Sequence, residues 1–330
     1  MAKEERILVT GALGCLGAWS MAKLVRENTF TIGLDVGVDS HRLKYLLTDN
    51  EIISARIVTG DVTKIDDLDR VVAENGISHI LHFAALQVPF CRSDPAAGAR
   101  VNVVGTANVF EVARRRRDLV QRVIYASSVA VYGPKTYYDA GPVGLDAVMR
   151  PTTHYGSYKQ VNETTGKIYW LDEGVSSICL RPHTVYGVGR DQGLTSGCSK
   201  AMLAAAVGKE YRISHGGNAD FQLASDVADA FIKCARIDYT GASVHNLSGS
   251  RVNVIDVIRA IESVAPELEG RITYDEQKEL PFPDALDEST LVSLIGEMPV
   301  TPLQDGVSQT VQHFARLDSS GQIDVLRSLD

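Results

Sequence analysis

A glycine-rich loop between a predicted strand and a predicted helix constrains the fold of this chain more than any other feature. The apolar run at residues 6–10, Arg-Ile-Leu-Val-Thr, is typical of a buried parallel strand. Gly11, Gly14 and Gly17 follow it, and a helical pattern of apolar residues begins at Leu16. Because glycines let the loop turn tightly and approach a pyrophosphate, which the helix N-terminus stabilises, this context predicts a dinucleotide site. The spacing alone also fits a glycine-rich turn without a ligand.

The next predicted strand, residues 30–35, ends in a carboxylate that favours one dinucleotide over another. Asp35 lies 18 residues beyond Gly17, close to the separation of about 20 at which an acid meets the adenosine ribose. Asp35 is expected to bind the ribose hydroxyls and to repel a 2′-phosphate, so NAD is predicted over NADP. Arg42 keeps the NADP alternative open, and the alternative role for Asp35 is that of a turn former at a strand end.

Strands and helices alternate through the first 181 residues. Further strands are predicted at residues 55–59, 78–83, 122–126 and 175–181, with helices at residues 64–75 and 95–117 and a helix that starts near Tyr155. This alternation predicts an α/β fold with a doubly wound parallel sheet of the Rossmann type, covered by helices on both faces. His79 and His82 lie three residues apart on a strand and therefore face opposite sides of the sheet, so they are interpreted as structural residues, and no metal site is predicted.

Beyond Pro182 the alternation becomes less regular. Helices are predicted near residues 197–208, 225–236, 253–263, 286–294 and 302–316, with short strands near residues 210–214 and 243–247. We expect residues 1–181 to form the NAD-binding Rossmann domain and residues 182–330 to form mainly a smaller C-terminal substrate-binding lobe. The strand near residues 243–247 is expected to return to the main sheet, which would make the boundary between the two parts discontinuous.

Tyr155 and Lys159 lie four residues apart, so a helix presents both side chains on one face. A phenol with a pKa near its usual value of about 10 is a poor base at neutral pH, whereas a nearby ammonium group lowers that pKa. Tyr155 could then accept a proton from a substrate hydroxyl. The pair alone is a weak signal, because both residue types are common on the solvated face of a helix.

Composition argues against several classes of function. The chain has 330 residues, 45% of them hydrophobic and 22% charged, and a formal net charge of -8. The acidic balance predicts no nucleic-acid partner, and the basic run at residues 114–117 is typical of a helix end. No apolar run reaches the ~20 residues of a membrane span and no signal peptide is visible, so a cytoplasmic protein without a membrane partner is expected. The scattered cysteines predict reduced, mostly buried thiols.

Short motifs recur along almost the whole chain. They are Thr10-Gly11-x-x-Gly14-x-x-Gly17, Asp35, Gly60-Asp61-Val62, His82-x-Ala84-Ala85, Asn102-Val-x-Gly105-Thr, Ser127-Ser128-Val-Ala-Val-Tyr132-Gly133, Tyr155-x-x-x-Lys159 and Arg181-Pro-x-x-Val-Tyr186-Gly187. In their order and spacing they resemble the motifs of the extended short-chain dehydrogenase/reductases, especially the NAD-dependent epimerase/dehydratase branch.

The resemblance implies a Rossmann-type domain that binds NAD. The residues implied in cofactor binding are Gly11, Leu13, Gly14, Cys15, Leu16, Gly17, Asp35, Asp61, Val62, Phe83, Ala84, Ala85, Asn102, Tyr155, Lys159 and Pro182. It also implies a catalytic trio, in which Ser128 hydrogen-bonds the reacting oxygen and Tyr155 exchanges its proton. Lys159, together with the positive nicotinamide, is expected to keep Tyr155 acidic. For Ser128 alone, the alternative is a strand-end hydroxyl that caps the backbone.

Departures from the family patterns narrow the predicted function. Sugar-nucleotide dehydratases have an acidic pair where Val129 and Ala130 stand, and decarboxylating relatives have a glutamate in place of Ala130. Nucleotide-sugar epimerases have an arginine where Ala219 stands, and a second arginine in the region of residues 281–287, which contain none. Because an arginine binds phosphate strongly through two charge-assisted hydrogen bonds, the absence of both argues against a nucleotide-diphosphate substrate.

The sequence therefore predicts an NAD-dependent oxidoreductase that transfers hydride at a secondary hydroxyl or keto carbon of a small sugar, sugar acid or polyol derivative. The alternative is an NAD-dependent sugar or nucleotide-sugar epimerase that works through a transient keto intermediate. A protein that senses NAD(H) without turnover is a third hypothesis, and the complete set of Ser128, Tyr155 and Lys159 argues against it.

Candidate substrate contacts lie on or just after strands that end at the predicted crevice. They are Gln87, Arg92, Ser128, His183 and Arg190, of which Gln87 and Arg92 fall in a predicted loop. Arg92 or Arg190 could bind a carboxylate, although a surface or packing role fits each of them equally well. The resemblance also suggests a homodimer built from helices around residues 95–115 and 155–172. Their apolar residues Val101, Val104, Val109, Val161 and Ile168 fit an interface or a core.

Overall fold

A parallel sheet organises the molecule. The computed structural model of the chain describes residues 4–298 and 300–329, so residues 1–3, 299 and 330 of the two expected domains lie outside the described part. The strands are β1 Arg6–Thr10, β2 Phe30–Asp35, β3 Arg56–Thr59, β4 His79–His82, β5 Arg122–Ala126, β6 Ser177–Arg181, β7 Thr184–Tyr186, β8 Tyr211–Ile213, β9 Asn218–Leu223, β10 Ala242–Asn246, β11 Ser250–Asn253 and β12 Ile272–Tyr274. Within the described residues, seven of them form one sheet in the order β10-β6-β5-β4-β1-β2-β3.

Helices cover this sheet and build the remainder of the fold. They are α1 Cys15–Arg26, α2 His41–Leu46, α3 Asp49–Ser54, α4 Ile65–Asn75, α5 Val88–Ser93, α6 Pro95–Ala99, α7 Gly105–Arg115, α8 His154–Glu173, α9 Gly197–Ala206, α10 Ala224–Arg236, α11 Val254–Val264, α12 Ser289–Ile295, α13 Leu303–Ser319 and α14 Val325–Leu329. A π-helical segment, Arg100–Val104, joins α6 to α7, so the helix predicted at residues 95–117 is continuous but locally widened.

The central strands are buried on both faces, as expected for a parallel sheet between helical layers. Along β1, the fully buried Ile7 and Val9 face a core layer that includes Met21 of α1 and Phe231 of α10. Leu8 faces the opposite layer, in which α4 and α7 pack together, with Phe110 of α7 in its centre. Alternate side chains of the strand therefore pack into the two core layers on opposite faces of the sheet. The predicted doubly wound α/β fold is confirmed.

The later part of the chain also contributes to the main sheet. β10 pairs in parallel with β6, with Val244 opposite Cys179, so the predicted return of the strand near residues 243–247 is confirmed. α10 packs beside α1 on the same sheet. The remaining late strands form two small sheets, β11-β9-β7 and β12-β8. Strands such as β9, Asn-Ala-Asp-Phe-Gln-Leu, are short and partly polar, which hides them from a search for apolar runs.

The segment predicted as a loop at residues 87–92 is instead mostly helical, and this prediction was wrong. α5 starts at Val88 with Pro89 in its first turn. A proline there removes no helical hydrogen bond, because the first N–H groups of a helix have no intrahelical acceptor. Pro89 is therefore compatible with the start of a helix. Over the described part of the chain, no helix combines the length and the apolar character that a membrane crossing needs.

Candidate active site

The glycine loop makes the first wall of the candidate site. Gly11 has a φ of +68°, and a Cβ atom there would lie 2.6 Å from the backbone nitrogen of Ala84, so both the conformation and the close approach to β4 require glycine. At Gly17, a Cβ atom would collide with the carbonyl oxygen of Gly11. Gly14 caps the N-terminus of α1. The N-terminal N–H groups of this helix are therefore presented to the crevice, where they suit a pyrophosphate.

Asp35 ends β2 beside this loop. Its carboxylate accepts hydrogen bonds from the backbone N–H of Leu13 at 2.9 Å and of Gly37 at 3.0 Å. These two contacts fix the carboxylate at the edge of the sheet. Carboxylate oxygens each accept more than one hydrogen bond, so Asp35 retains acceptor capacity for the hydroxyls of a ribose.

Arg42, which kept the NADP alternative open, is already paired within the protein. Its guanidinium donates to both oxygens of Asp191, with the shortest contact at 2.6 Å, and also to the carbonyl oxygens of Leu13 and Gly189. His41 contacts the same carboxylate at 3.1 Å. Although burial raises the pKa of Asp191, the hydrogen bonds from His41 and Arg42 bring it below its usual value. Arg42 is therefore committed to Asp191 and is not available to a 2′-phosphate.

A groove of about 470 Å³ runs along the carboxyl ends of β1, β2 and β4, and we call it the cofactor groove. Its wall includes these predicted cofactor contacts: Gly11, Leu13, Gly14, Cys15, Asp35, Asp61, Val62, Phe83, Ala84 and Ala85. The helix N-terminus and the neighbouring Asp35 carboxylate in this wall fit the pyrophosphate and the ribose of a dinucleotide.

Asn102 supports the groove from behind its wall. The side chain is fully buried. Its Oδ1 accepts from the N–H of Leu86 at 2.7 Å, and its Nδ2 donates to the carbonyl of Leu86 at 2.9 Å. Because the amide is engaged by Leu86, Asn102 shapes the groove through the segment after β4 rather than by direct contact. The sequence pattern located the residue but not this indirect role.

A smaller space of about 180 Å³ adjoins the groove, and we call it the catalytic cavity. The other predicted site residues in its wall are Leu16, Gly17, Gln87, Ser128, Tyr155, Lys159, Pro182, His183 and Arg190. The fold brings these residues together because β1, β4, β5 and β6 all end at the same edge of the sheet, where parallel α/β folds bind their ligands.

The first turn of α8 carries Tyr155 to the end of β5. Thr153 caps this helix by accepting a hydrogen bond from the N–H of Gly156 at 3.0 Å. Gly156 lies directly against the carbonyl of Ala130, where a Cβ atom would collide. This contact holds Tyr155 in the same cavity wall as Ser128. The Oγ of Ser128 also accepts from the N–H of Ala130 at 3.1 Å, which fixes its position.

Lys159 lies one turn further along α8 and is almost completely buried. Its Nζ donates to the carbonyl of Ala126 at 2.6 Å and lies 5.5 Å from the centre of the Tyr155 ring. Burial lowers the pKa of Lys159 to about 8. Its ammonium group is therefore held beside the catalytic cavity and loses its proton more easily than an exposed lysine does.

The pKa of Tyr155 is also affected by a cation that the sequence analysis did not connect with it. Burial raises the pKa of Tyr155 to about 12, and this rise is opposed first by the charge of Arg190 and then by the hydrogen bond with Ser128. Arg190 is therefore a second cation near Tyr155, in addition to the Lys159 ammonium group beside the ring. Sequence spacing pointed to Lys159 because Arg190 is distant along the chain.

A buried ion pair braces the strand ends behind the trio. Glu163, one turn beyond Lys159, binds Arg181 at the end of β6, with contacts at 2.6 and 2.8 Å. Both side chains are 4% exposed. Glu163 also accepts a short hydrogen bond from Ser127, the neighbour of Ser128. The pair thus ties α8, β5 and β6 together where the catalytic side chains leave them, a role that the motif comparison did not reveal.

His183 and Gln87 take different positions in the wall of the catalytic cavity. The ring nitrogens of His183 contact the carbonyl of Pro283 at 2.7 Å and the hydroxyl of Thr184 at 3.1 Å. Burial lowers the pKa of His183, so the ring is neutral and held by the protein. Gln87 instead presents its side-chain oxygen to Arg190, whose Nη1 donates to it at 3.3 Å.

Arg92 is the one proposed substrate contact that the fold places apart from the others. It is exposed on α5 and lines a second chamber of about 710 Å³, whose wall also includes His154, Ser157, His215 and Leu280. Val88 and Leu194 belong to the walls of both this chamber and the catalytic cavity, so the two spaces adjoin.

The wall residues of the catalytic cavity that the sequence analysis missed include Leu194, Thr195 and Phe282. Leu194 and Thr195 lie in a glycine-rich segment that follows β7, and the position of this segment after a crevice strand was a usable signal. Phe282 comes from a segment between Pro281 and Pro283, far along the chain from every motif. Only the tertiary fold brings it to the cavity.

Comparison with known proteins places this geometry in a family. A model of the NAD dependent epimerase/dehydratase family matches residues 7–247. UDP-glucose 4-epimerase of Mycolicibacterium smegmatis is 28% identical, with 94% of this chain and 98% of the relative covered. Mitochondrial L-threonine 3-dehydrogenase of Bos taurus is 25% identical, with 83% and 72% covered. The solved structure of Thermus thermophilus UDP-glucose 4-epimerase in complex with NAD has a TM-score of 0.79 at 21% identity, covering 94% of this chain and 98% of that one.

Proposed function

This chain belongs to the NAD-dependent epimerase/dehydratase family, and we propose that it acts as a dehydrogenase on the secondary hydroxyl of a small sugar, sugar acid or polyol derivative. The observation that carries this proposal is that Ser128, Tyr155 and Lys159 lie together in the wall of the catalytic cavity, with the Nζ of Lys159 5.5 Å from the centre of the Tyr155 ring. A sensor of NAD(H) has no use for such an acid–base pair.

The proposed roles of the three residues follow from their positions. When bound, NAD supplies an acceptor for hydride. Ser128 donates a hydrogen bond to the oxygen of the reacting carbon and so orients it. Tyr155 accepts the proton of that hydroxyl, which leaves a carbonyl group on the product. Lys159 holds positive charge beside the phenolate and presents its remaining N–H groups to the cofactor ribose.

The walls around this site support a substrate without a nucleotide diphosphate. Ala219, which stands where nucleotide-sugar epimerases have an arginine, is buried within β9 opposite Val252. Residues 281–287 supply Phe282 to the catalytic cavity, and their sequence contains no arginine. The two cations that would bind phosphates in such enzymes are therefore replaced by apolar side chains.

Absorbance of NADH tests the proposal. Purified protein with added NAD is offered free sugars, uronic acids, aldonic acids, polyols and nucleotide sugars, and net NADH is expected with at least one substrate that lacks a nucleotide. A nucleotide sugar that changes configuration without net NADH would contradict the proposal and establish the epimerase. The matched Tyr155→Phe protein reports any NADH that arises without the proposed acid–base chemistry.

Epimerisation is the second candidate function, and the size of the second chamber favours it. Its volume of about 710 Å³ lies within the range of roughly 300–1,000 Å³ that is common for ligand pockets. A group much larger than a single sugar has room there, next to the catalytic cavity. Relatives of this chain carry both names, UDP-glucose 4-epimerase and L-threonine 3-dehydrogenase.

We also infer that the two halves of the chain have different functions, one in cofactor binding and the other mainly in substrate binding. In this proposal residues 1–181, with β10, bind NAD and supply Ser128 and Tyr155, while residues 182–330 mainly bind the substrate. The wall of the catalytic cavity supports this division, because Arg190 and Phe282 face Tyr155 from the later half of the chain.

A homodimer is proposed from apolar side chains on α8 and the neighbouring π-helical segment. Val161, Ile168 and Leu171 on α8 and Val104 are 45–68% exposed, whereas Val109, also considered for the interface, is fully buried in the core. Light scattering after gel filtration is expected to give twice the chain mass of 35.8 kDa. Ile168→Glu should yield monomers, whereas the control Val148→Glu, on an exposed loop residue, should not. A monomeric wild type would contradict the proposal.

A further inference from the structure

Arg190 is a cation in the wall of the catalytic cavity that has no anionic partner in the described part of the chain. Its Nη2 donates to the hydroxyl of Thr195 at 3.0 Å, and its Nη1 makes the 3.3 Å contact with Gln87. Over residues 4–298 and 300–329, no carboxylate pairs with this guanidinium, and its buried Nε has no hydrogen-bond partner. The next residue, Asp191, turns the other way and pairs with Arg42. A partly buried charge left without a counter-charge indicates a ligand that supplies one.

The position of Arg190 relates such a ligand to the chemistry. Arg190 and Tyr155 lie in the same cavity wall, and Arg190 is the strongest of the charges that lower the pKa of Tyr155. An anion on Arg190 therefore lies within electrostatic reach of the phenol. Arg92, the other cation considered for a carboxylate, lies in the second chamber, outside the catalytic cavity wall.

We propose that Arg190 binds a carboxylate of the substrate close to the reacting carbon, so that the enzyme selects sugar acids or related hydroxy acids over their neutral counterparts. The inference rests on the proposed function, because it assigns a substrate class to the same cavity. A guanidinium forms two parallel charge-assisted hydrogen bonds with a carboxylate, and Gln87 and Thr195 hold the guanidinium in place for them.

The proposal has a second consequence for proton transfer. A bound carboxylate offsets the charge of Arg190, so Tyr155 is more basic in the substrate complex than before substrate binds. The other groups that face Tyr155 are the Ser128 hydroxyl, the Cys91 thiol and the Lys159 ammonium, and a bound carboxylate does not contact them in this proposal. The ascending limb of kcat against pH should therefore lie above that of kcat/KM for an acid substrate, whereas the two should coincide for a neutral one.

Binding to the NADH-saturated protein provides a test that does not require turnover. Isothermal titration with D-glucuronate and D-glucose, and with D-gluconate and D-glucitol, compares each acid with its neutral counterpart. We expect the better acid to bind at least about tenfold more tightly than its counterpart. Arg190→Gln should abolish this ratio, Arg190→Lys should keep part of it, and the exposed control Arg212→Gln should leave it unchanged.

Several outcomes would overturn the proposal. They are equal affinity for acids and neutral counterparts in the wild type, a ratio that persists in Arg190→Gln, or a tenfold loss of NADH affinity in that variant, which would assign Arg190 to the cofactor phosphates. A thermal melt of each variant shows whether it is folded. Acid-selective binding without NADH production from any substrate would reject the proposed dehydrogenase alone, whereas NADH production without acid selectivity would reject the role of Arg190 alone.

Discussion

Two arginines near the cofactor groove and the catalytic cavity differ in whether a carboxylate of the protein neutralises their charge. In the groove, Arg42 is bound by Asp191 and by backbone carbonyls. Arg190 lies in the walls of both the groove and the cavity, and it contacts the neutral side chains of Gln87 and Thr195. Asp191, which neutralises Arg42, is the next residue in the chain after Arg190, yet Arg190 itself is held only by neutral side chains among the described residues.

The difference distinguishes charges that hold the fold from charges that await a ligand. A buried cation that is paired within the protein becomes costly only when its partner is removed. A cation without a protein partner costs free energy in the folded state and recovers it on binding an anion. Removal of a charge should therefore lower stability on the groove side and affinity on the cavity side.

The largest effect is expected from a substitution that removes the proposed proton-transfer group and leaves both arginines, Arg42 and Arg190, unchanged. Tyr155→Phe removes the hydroxyl that transfers the proton and should lower kcat by about 10²- to 10⁴-fold. The affinity for NADH, measured by fluorescence titration, should stay nearly unchanged. Tyr158→Phe on the same helix is the matched control, because its hydroxyl donates to the carbonyl of Pro95. Full activity in Tyr155→Phe would mean that another group transfers the proton.

Glu163→Ala tests an internally paired charge at the catalytic edge. It leaves Arg181 buried without its carboxylate, so the free energy of unfolding should fall by about 3–5 kcal/mol in urea denaturation. The control Glu173→Ala, at the exposed end of α8, loses only contacts near 4 Å with Arg114 and Arg117 and should change stability by less than about 0.5 kcal/mol. Similar losses of unfolding free energy in Glu163→Ala and Glu173→Ala would mean that the buried ion pair contributes no more to stability than the exposed one.

Asp191→Asn tests the paired arginine of the groove itself. Loss of the carboxylate that binds Arg42 and His41 should lower the free energy of unfolding by about 2 kcal/mol at neutral pH. The pKa of Asp191 lies below its usual value, so its contribution is present above about pH 3.9 and is lost as the pH falls through the folded-state pKa. Denaturation at pH 7 and pH 3 should therefore show a smaller difference from the wild type in acid.

The smallest change in stability is expected for Arg190→Gln, and it tests directly whether Arg190 differs from the paired Arg42. Arg190→Gln should change the free energy of unfolding by no more than about 0.5 kcal/mol, or raise it, because it removes a charge that has no anionic partner among the described residues. The measurement is urea denaturation beside Asp191→Asn. A loss as large as that of Asp191→Asn would mean that Arg190 holds the fold, and the contrast between the two regions would fail.

The cofactor side was the more predictable of the two regions. Gly11, Gly14 and Gly17 act through their own backbone, and Asp35 lies at the end of the next strand, so short-range spacing carried the information. The strands of the first 181 residues were predicted to within two residues, because buried parallel strands are apolar runs. The three residues proposed for catalysis also came from short motifs.

The substrate side required contacts between distant parts of the chain. Arg190 lies 35 residues beyond Tyr155, and its partner Gln87 belongs to α5, a helix that was expected to be a loop. Phe282 reaches the cavity from the C-terminal region, and Arg92 is directed into the second chamber. Each placement depends on how loops cross the sheet edge, which no local pattern encodes.

The sequence by itself determined the family, the parallel sheet, NAD as cofactor and the residues proposed for proton transfer. Each of these depends on residues that are close together in the sequence, within one strand, loop or helix turn. Tertiary structure alone decided which charges are neutralised inside the protein. Arg42 and Arg190 look alike in the sequence, and only the positions of Asp191, Gln87 and Thr195 around them distinguish a cation paired with a carboxylate from one held by neutral side chains. Coulomb interactions depend on distance in space, not on separation along the chain.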